Sequence, residues 1–294
     1  PMQIDGVDFT VLPDTSSRIQ AMLSGGLDAA YQIAPEDFEL IKGIGGDVIS
    51  INDGSISSIM FQFGKDHTSA LSDIRVRHAL NYAVDKQTIS DVLLGGLASV
   101  ASQPAVQYAY GYDPALSAFD YDPDRARQLL SDAGYADGFS ITLETSGGGT
   151  NGLLVVQRVA DDLKRVGVQV DVQQRPVMTF LLDFVRGRIE SDAFTLQWSS
   201  YPILDSIQMT NINSCRKTDP WYCNEEIQPI IEKAWMETNS DRALALRRQV
   251  MRHYRDDAPG IFLHENIRFI GLGPRTRGFD QTFGYVSYES VQLD

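Results

Sequence analysis

Trp198, Ser199, Ser200 and Tyr201 close an apolar run, DAFTLQWSS, that reads as a β-strand. Two hydroxyls and two flat aromatic faces with polar edges, at the C-terminal end of such a strand, suit a polar ligand held by stacking and neutral hydrogen bonds. A core indole followed by ordinary loop serines explains the same residues. Gly147-Gly148-Gly149 precede an amphipathic helix, LLVVQRVADDLKRVG, whose first free N–H groups would favour an anion. A plain tight turn accounts for those glycines too. Cys215 and Cys223 stand in the polar segment SCRKTDPWYCN, with no other cysteine in the chain. They are either a small-loop disulfide or two reduced thiols. The polar loop favours the bridge, which would imply an oxidising compartment. Two sulfurs without nearby histidine leave a tetrahedral zinc half-coordinated, so no metal site is expected.

Enzymatic motifs are missing. Neither a GxSxG nucleophile elbow nor a GxxxxGK[ST] phosphate loop occurs. HENIR, at His264–Arg268, has Arg where a second zinc-binding histidine would stand. His67, His78, His253 and His264 are scattered, and each reads as a surface or packed histidine. No catalysis and no cofactor are expected. A formal net charge of -14 excludes a nucleic-acid partner, because phosphate binding needs a basic face. Pro1–Asp8 lacks the basic head and apolar stretch of a signal peptide, and no run is long enough to span a bilayer, which leaves the compartment open.

The elements that must position these residues alternate along the chain. VDFTVLPD reads as a strand, Asp14 or Thr15 caps a helix with Ile19, Met22 and Leu23 buried, and LDAAYQI returns as a strand. This predicts a short βαβ unit with parallel pairing. PEDFELIKGI is a helix leading to the strands DVISIN and SSIMFQF. SDIRVRHALNYAVDKQTISDVLLGG is helical up to Gly95-Gly96, and a Pro/Tyr/Asp-rich passage then packs as turns before a helix at Pro123–Ala133. FSITLETS, VQVDVQQ and DAFTLQWSS are strands separated by LLVVQRVADDLKRVG and PVMTFLLDFVRGR, the alternation of an α/β domain. Two more helices, EEIQPIIEKAWMETN and DRALALRRQVMRHYRDD, precede a strand pair in GIFLHENIRFIGLG. The chain ends are expected together, residues 1–57 and 258–294 forming one body and 58–257 a second.

Four stretches carry a family resemblance: VLPDTSSRIQAMLSGGLDAA; SDIRVRHALNYAVDKQTI with VLLGGLA; GYDPALSAFDYDPDRARQLLSDAGY; and DDLKRVGVQV leading to the strand that ends at Trp198. In order and spacing they resemble the peptide/nickel type of bacterial ABC-transporter substrate-binding proteins, solute-binding family 5. The resemblance implies an α/β, periplasmic-binding-protein type II-like fold, with two lobes of mixed sheets flanked by helices. Family members are commonly much longer, so the chain looks like a C-terminal portion: a remnant of the first lobe and a complete second lobe. A periplasmic monomer is implied, which carries a peptide, opine or sugar-like solute to an ABC permease in the inner membrane. The alternative is a module that presents a solute to a membrane signalling receptor.

Dipeptide-binding members pair the peptide amine with an Asp three residues after the strand's Trp, and here that position is Tyr201. Their carboxylate-binding Arg and Tyr fall at Ser146 and Gly148. With both clamps gone, a free dipeptide is disfavoured relative to longer peptides or other polar solutes. Arg175 or Asp205 could supply a charge from neighbouring loops.

Overall fold

Asp47–Phe61 shows how turn-type and β-branched residues share one strand. Val48, Ile49 and Ile51 precede Asn52-Asp53-Gly54, and Ile56 and Ile59 follow. The central triplet bends the strand without ending it: the register shifts between Asn52 and Ile56, and Gly54 takes φ 78°. The expected strands DVISIN and SSIMFQF are therefore one strand, β2 (Asp47–Phe61). GIFLHENIRFIGLG is likewise one strand, β6 (Gly260–Leu272), which spans the bulge from Leu272 opposite Asp47 to Gly260 opposite Met60. The turn's own side chains satisfy the backbone that leaves the ladder: Asn52 Oδ1 accepts from the Gly54 N–H at 2.9 Å and Asp53 Oδ1 from the Ser55 N–H at 3.1 Å.

The computed structural model describes residues 3–63, 69–217, 220–282 and 285–294, so His67 lies outside the described residues. In chain order its main elements are α1 (Thr15–Leu23), β1 (Ala29–Ile33), α2 (Phe38–Gly43), β2, α3 (Ile74–Ala83), α4 (Lys86–Thr88), α5 (Pro123–Asp132), β3 (Phe139–Thr145), α6 (Gly152–Lys164), β4 (Val168–Gln174), α7 (Val177–Val185), β5 (Ala193–Ser199), α8 (Ile207–Ile212), α9 (Gln228–Met236), α10 (Ser240–Asp257) and β6. Six strands form one mixed sheet in the order β1-β6-β2-β5-β3-β4. β3 runs parallel to β4 and β5; the other pairs are antiparallel.

Alternate residues of the central strands enter two cores. Ile59, Ile261 and Leu263 join Leu80, Leu130 and Val156 on one face, while Met60, Phe194 and Phe262 join Ile231, Met251 and Tyr254 on the other. The period of two thus sandwiches the sheet between helical layers. The residues from Pro104 to Asp122 hold no helix or strand and are clipped to α10 by a row of arginines. Arg248 Nε donates to the Tyr112 carbonyl at 3.2 Å, Arg252 to the Asp113 carboxylate at 2.5 Å, and Arg255 Nε to the Ser117 carbonyl at 3.3 Å.

Two expectations fail locally. Residues 7–14 form no strand, and β1 pairs antiparallel with β6, so there is no opening parallel βαβ unit. An extended segment becomes a strand only by hydrogen-bonding to another, and residues 7–14 do not pair with β1, the free edge of the sheet; Val7, Phe9 and Val11 stay exposed. The helix expected up to Gly95 breaks at Val84, which is extended. The Asp85 carboxylate accepts from the Thr88 N–H at 3.0 Å and starts a new short helix instead.

Candidate functional site

β3 ends at Thr145, and the chain turns through Ser146 to Asn151 before α6 begins. Gly147, Gly149 and Asn151 supply the turn's left-handed residues, with φ 68°, 92° and 52°. Two side chains anchor it: Thr150 Oγ1 donates to the Ile267 carbonyl of β6 at 2.9 Å, and Asn151 Nδ2 to the Leu93 carbonyl at 2.8 Å. The turn, the start of α6, α7 and the middle of the sheet enclose a cavity of about 490 Å³.

Its floor is polar. Gln197 of β5, Ser57 of β2 and His264 of β6 are register partners across three strands, and all line the cavity. Thr195, Asn266 and Arg268 extend the floor. Asn266 Nδ2 donates to Ser55 Oγ at 2.8 Å, and Arg268 Nε to the Asp53 carboxylate at 3.1 Å. Burial lowers the pKa of His264, favouring neutral imidazole. Its Nδ1 lies 3.0 Å from the Glu265 carbonyl and donates to it, which leaves Nε2 as an acceptor. The opposite wall is apolar: Val177, Phe180, Leu181 and Phe184 of α7. Such a mixture suits a bound organic solute. Among the described residues no group of three His, Cys, Asp or Glu could hold a metal ion.

The predicted site residues separate. Ser146 and Gly148 line the cavity. Gly147 does not, and serves the turn. Trp198 is wholly buried: its ring packs edge-on against Trp221, Tyr254 and Phe262, and Nε1 donates to the Met60 sulfur at 3.3 Å. No face is left for a ligand, because the strand's alternation turns Trp198 towards the core and Gln197 towards the cavity. Ser200 is buried, its N–H donating to the Gly54 carbonyl at 2.8 Å. Ser199 Oγ turns to the Tyr201 carbonyl, and the Tyr201 ring lies against Tyr285. None of these three lines the cavity.

Arg175 is held by Glu144 at 3.3 Å and Asp183 at 3.2 Å, and Asp205 by a two-pronged pair with Arg247 at 2.8 Å. Both charges are consumed structurally, and neither borders the cavity. Cys215 and Cys223 form a disulfide; Thr218 and Asp219 of that loop lie outside the described residues.

Gln197, His264, Asn266, Arg268 and the α7 face were not anticipated. The signal was present in β5, where FTLQW places Thr195 and Gln197 two apart between apolar residues. HENIR carries the same alternation, with His264, Asn266 and Arg268 on the cavity side. A second cavity, of about 550 Å³, lies between residues 4–12 and β1. The wall supplied by residues 4–12 is irregular chain, without the ordered strand floor of the first cavity.

Comparison with known proteins places this fold. The chain is 24% identical to "Heme-binding protein A" of Haemophilus influenzae over 307 residues, covering 99% of this chain and 54% of the relative. It is 30% identical to "Glutathione-binding protein GsiB" of Salmonella typhimurium over 177 residues, covering 58% of this chain and 33% of the relative. The chain thus spans about half the length of the first relative and about a third of the second. Its fold matches the periplasmic binding protein DppA of Helicobacter pylori, in complex with the peptide STSA, with a TM-score of 0.82 at 19% identity, covering 96% of this chain and 56% of that one. HbpA2 of Haemophilus parasuis matches with a TM-score of 0.78 at 22% identity, covering all of this chain and 59% of the other. A family model described as "Bacterial extracellular solute-binding proteins, family 5 Middle" covers residues 1–219, and the chain belongs to that family.

Proposed function

We propose that this chain is the ligand-binding portion of the extracytoplasmic, periplasmic substrate-binding component of an ABC uptake transporter. It holds a small polar solute and hands it to a membrane permease; it carries out no chemistry of its own. The observation that carries this reading is the cavity just past the C-terminal end of the parallel strand β3 and over the middle of β5, close to the usual position for a ligand in an α/β sheet.

Two bodies, residues 1–57 with 258–294 and residues 58–257, are part of the same reading. Ser57, Leu263, His264, Asn266 and Arg268 come to the cavity from the first, and the glycine turn, α6, α7 and β5 from the second. The bulge in β2 lies close to their boundary and supplies a hinge, so ligand bound at the junction would favour closure. Ser146 and Gly148 keep their place as ligand contacts, joined by Gln197 and His264. The protein works as a monomer. Heme, glutathione and a peptide are what the relatives and the solved neighbour are named for, and all are organic solutes with carboxylates.

Native mass spectrometry of the protein purified gently from its host tests the reading. A co-purified small molecule that leaves on mild unfolding supports it. An empty protein whose melting temperature is unmoved by peptides, opines, tetrapyrroles and oligosaccharides would count against it.

A further inference from the structure

Charge is distributed unevenly around the cavity. Asp and Glu make up 39 of the 294 residues, more than one in eight, and Arg and Lys only 25. Yet the lining contains no carboxylate, and its single full charge is Arg268. Asp53 holds that guanidinium by Nε, and among the described residues neither terminal nitrogen has a hydrogen-bond partner. The bond from Thr150 Oγ1 to the Ile267 carbonyl ties the turn before α6 to the residue beside Arg268. The positive end of a 13-residue helix and a guanidinium that is held by Asp53 at Nε, with its terminal nitrogens unpaired among the described residues, therefore border the same space.

His264, with 5% of its surface exposed, lines that space, and its Nε2 has no partner among the described residues. The facing wall is apolar in excess of what packing uses. α7 reads VMTFLLDFV, and no residue of it is fully buried. Phe180, Leu181 and Phe184 line the cavity, and Leu181 is about half exposed.

We propose, building on the solute-binding reading, that the cavity selects an amphipathic organic anion. Its carboxylate lies between Arg268 and the turn at the start of α6, and its apolar body lies on Phe180, Leu181 and Phe184. The neutral floor of Gln197, Ser57 and His264 accepts the polar groups between the two. A cationic solute is rejected, since the lining offers it no counter-ion while Arg268 repels it.

Three matched fluorescent probes test this on the 294-residue chain: dansylglycine, an anion; dansylglycinamide, neutral; and the dansyl monoamide of ethylenediamine, a cation. Each is titrated at constant ionic strength and read by dansyl emission. The expected result is that dansylglycine binds at least about tenfold tighter than its amide, the gain of a charge-assisted contact, and that the cation binds weakest. Arg268→Gln should erase the difference between acid and amide, and Leu181→Asp should weaken both. Added salt should shrink the preference.

Equal affinities for acid and amide, a preference that survives Arg268→Gln, or tighter binding of the cation would overturn the anion selectivity and leave the solute-binding reading standing. No enhancement with any probe, on a chain whose circular dichroism shows it folded, would overturn both.

Discussion

Gln197 and Trp198 are adjacent in β5 and have opposite roles. The Trp198 ring fills the core beneath α10, and Gln197 stands exposed on the cavity floor. Trp198→Ala should therefore cost about 3–5 kcal/mol of unfolding free energy, measured by denaturant titration, as large-to-small core changes do. Gln197→Ala should leave stability within about 0.5 kcal/mol but weaken dansylglycine about three- to tenfold, the loss of one net hydrogen bond. A stable Trp198→Ala protein with lost binding would reverse the two assignments. Asp205 follows the same logic. Its carboxylate holds Arg247, which also donates to the Ala234 and Ala243 carbonyls inside the helical layer. Asp205→Ala strands a buried guanidinium, and a loss of about 3 kcal/mol is expected in the same titration.

Among the elements, the loop between α8 and α9 depends on a covalent tie. Cys215 and Cys223 are eight positions apart. A bridge over so short a loop removes about 2–3 kcal/mol of unfolded-chain entropy. Chemical unfolding with and without reductant, or of the Cys215→Ser/Cys223→Ser double variant, should show that loss. Trp221 and Tyr222 lie inside the bridged segment and belong to the core around Trp198, so tryptophan emission should shift as well. Four helices read from periodicity start on a side-chain cap, Asp14, Asp73, Asp122 and Asn239 each accepting a backbone N–H, while α6, α7 and α9 formed without one. Residues 7–14 had a strand's composition but do not pair with the free edge at β1, and composition does not decide pairing.

For the molecule as a whole, one buried cation links stability to pH. Lys86 is enclosed near Asn81, Phe119 and Arg255, and desolvation, with Arg255 adding repulsion, pushes its pKa down to about 7. Between about 7 and the ordinary value of 10.5 the unfolded chain holds a proton that the folded chain releases. Stability from this site therefore rises with pH across that window, and below it the full cost of a buried charge remains. Lys86→Met should raise stability most near pH 7 or below, with the gain fading towards pH 10. Denaturant titrations of both proteins across that range check it; a gain independent of pH would contradict the assignment.

Local periodicity, capping residues and spacing were enough for the α/β class, the family and most of the helices and strands after residue 14. Tertiary structure decided which strands merged, that β1 runs antiparallel to β6, and that Trp198 faces inward. It also decided which polar residues converge. Gln197, Ser57 and His264 are far apart in the chain and meet only because β5, β2 and β6 pair in one register. Arg175 and Asp205, plausible ligand charges in sequence, are taken by partners across the fold. A side chain's availability is set by what packs against it, and that is a property of long-range pairing, which no local pattern contains.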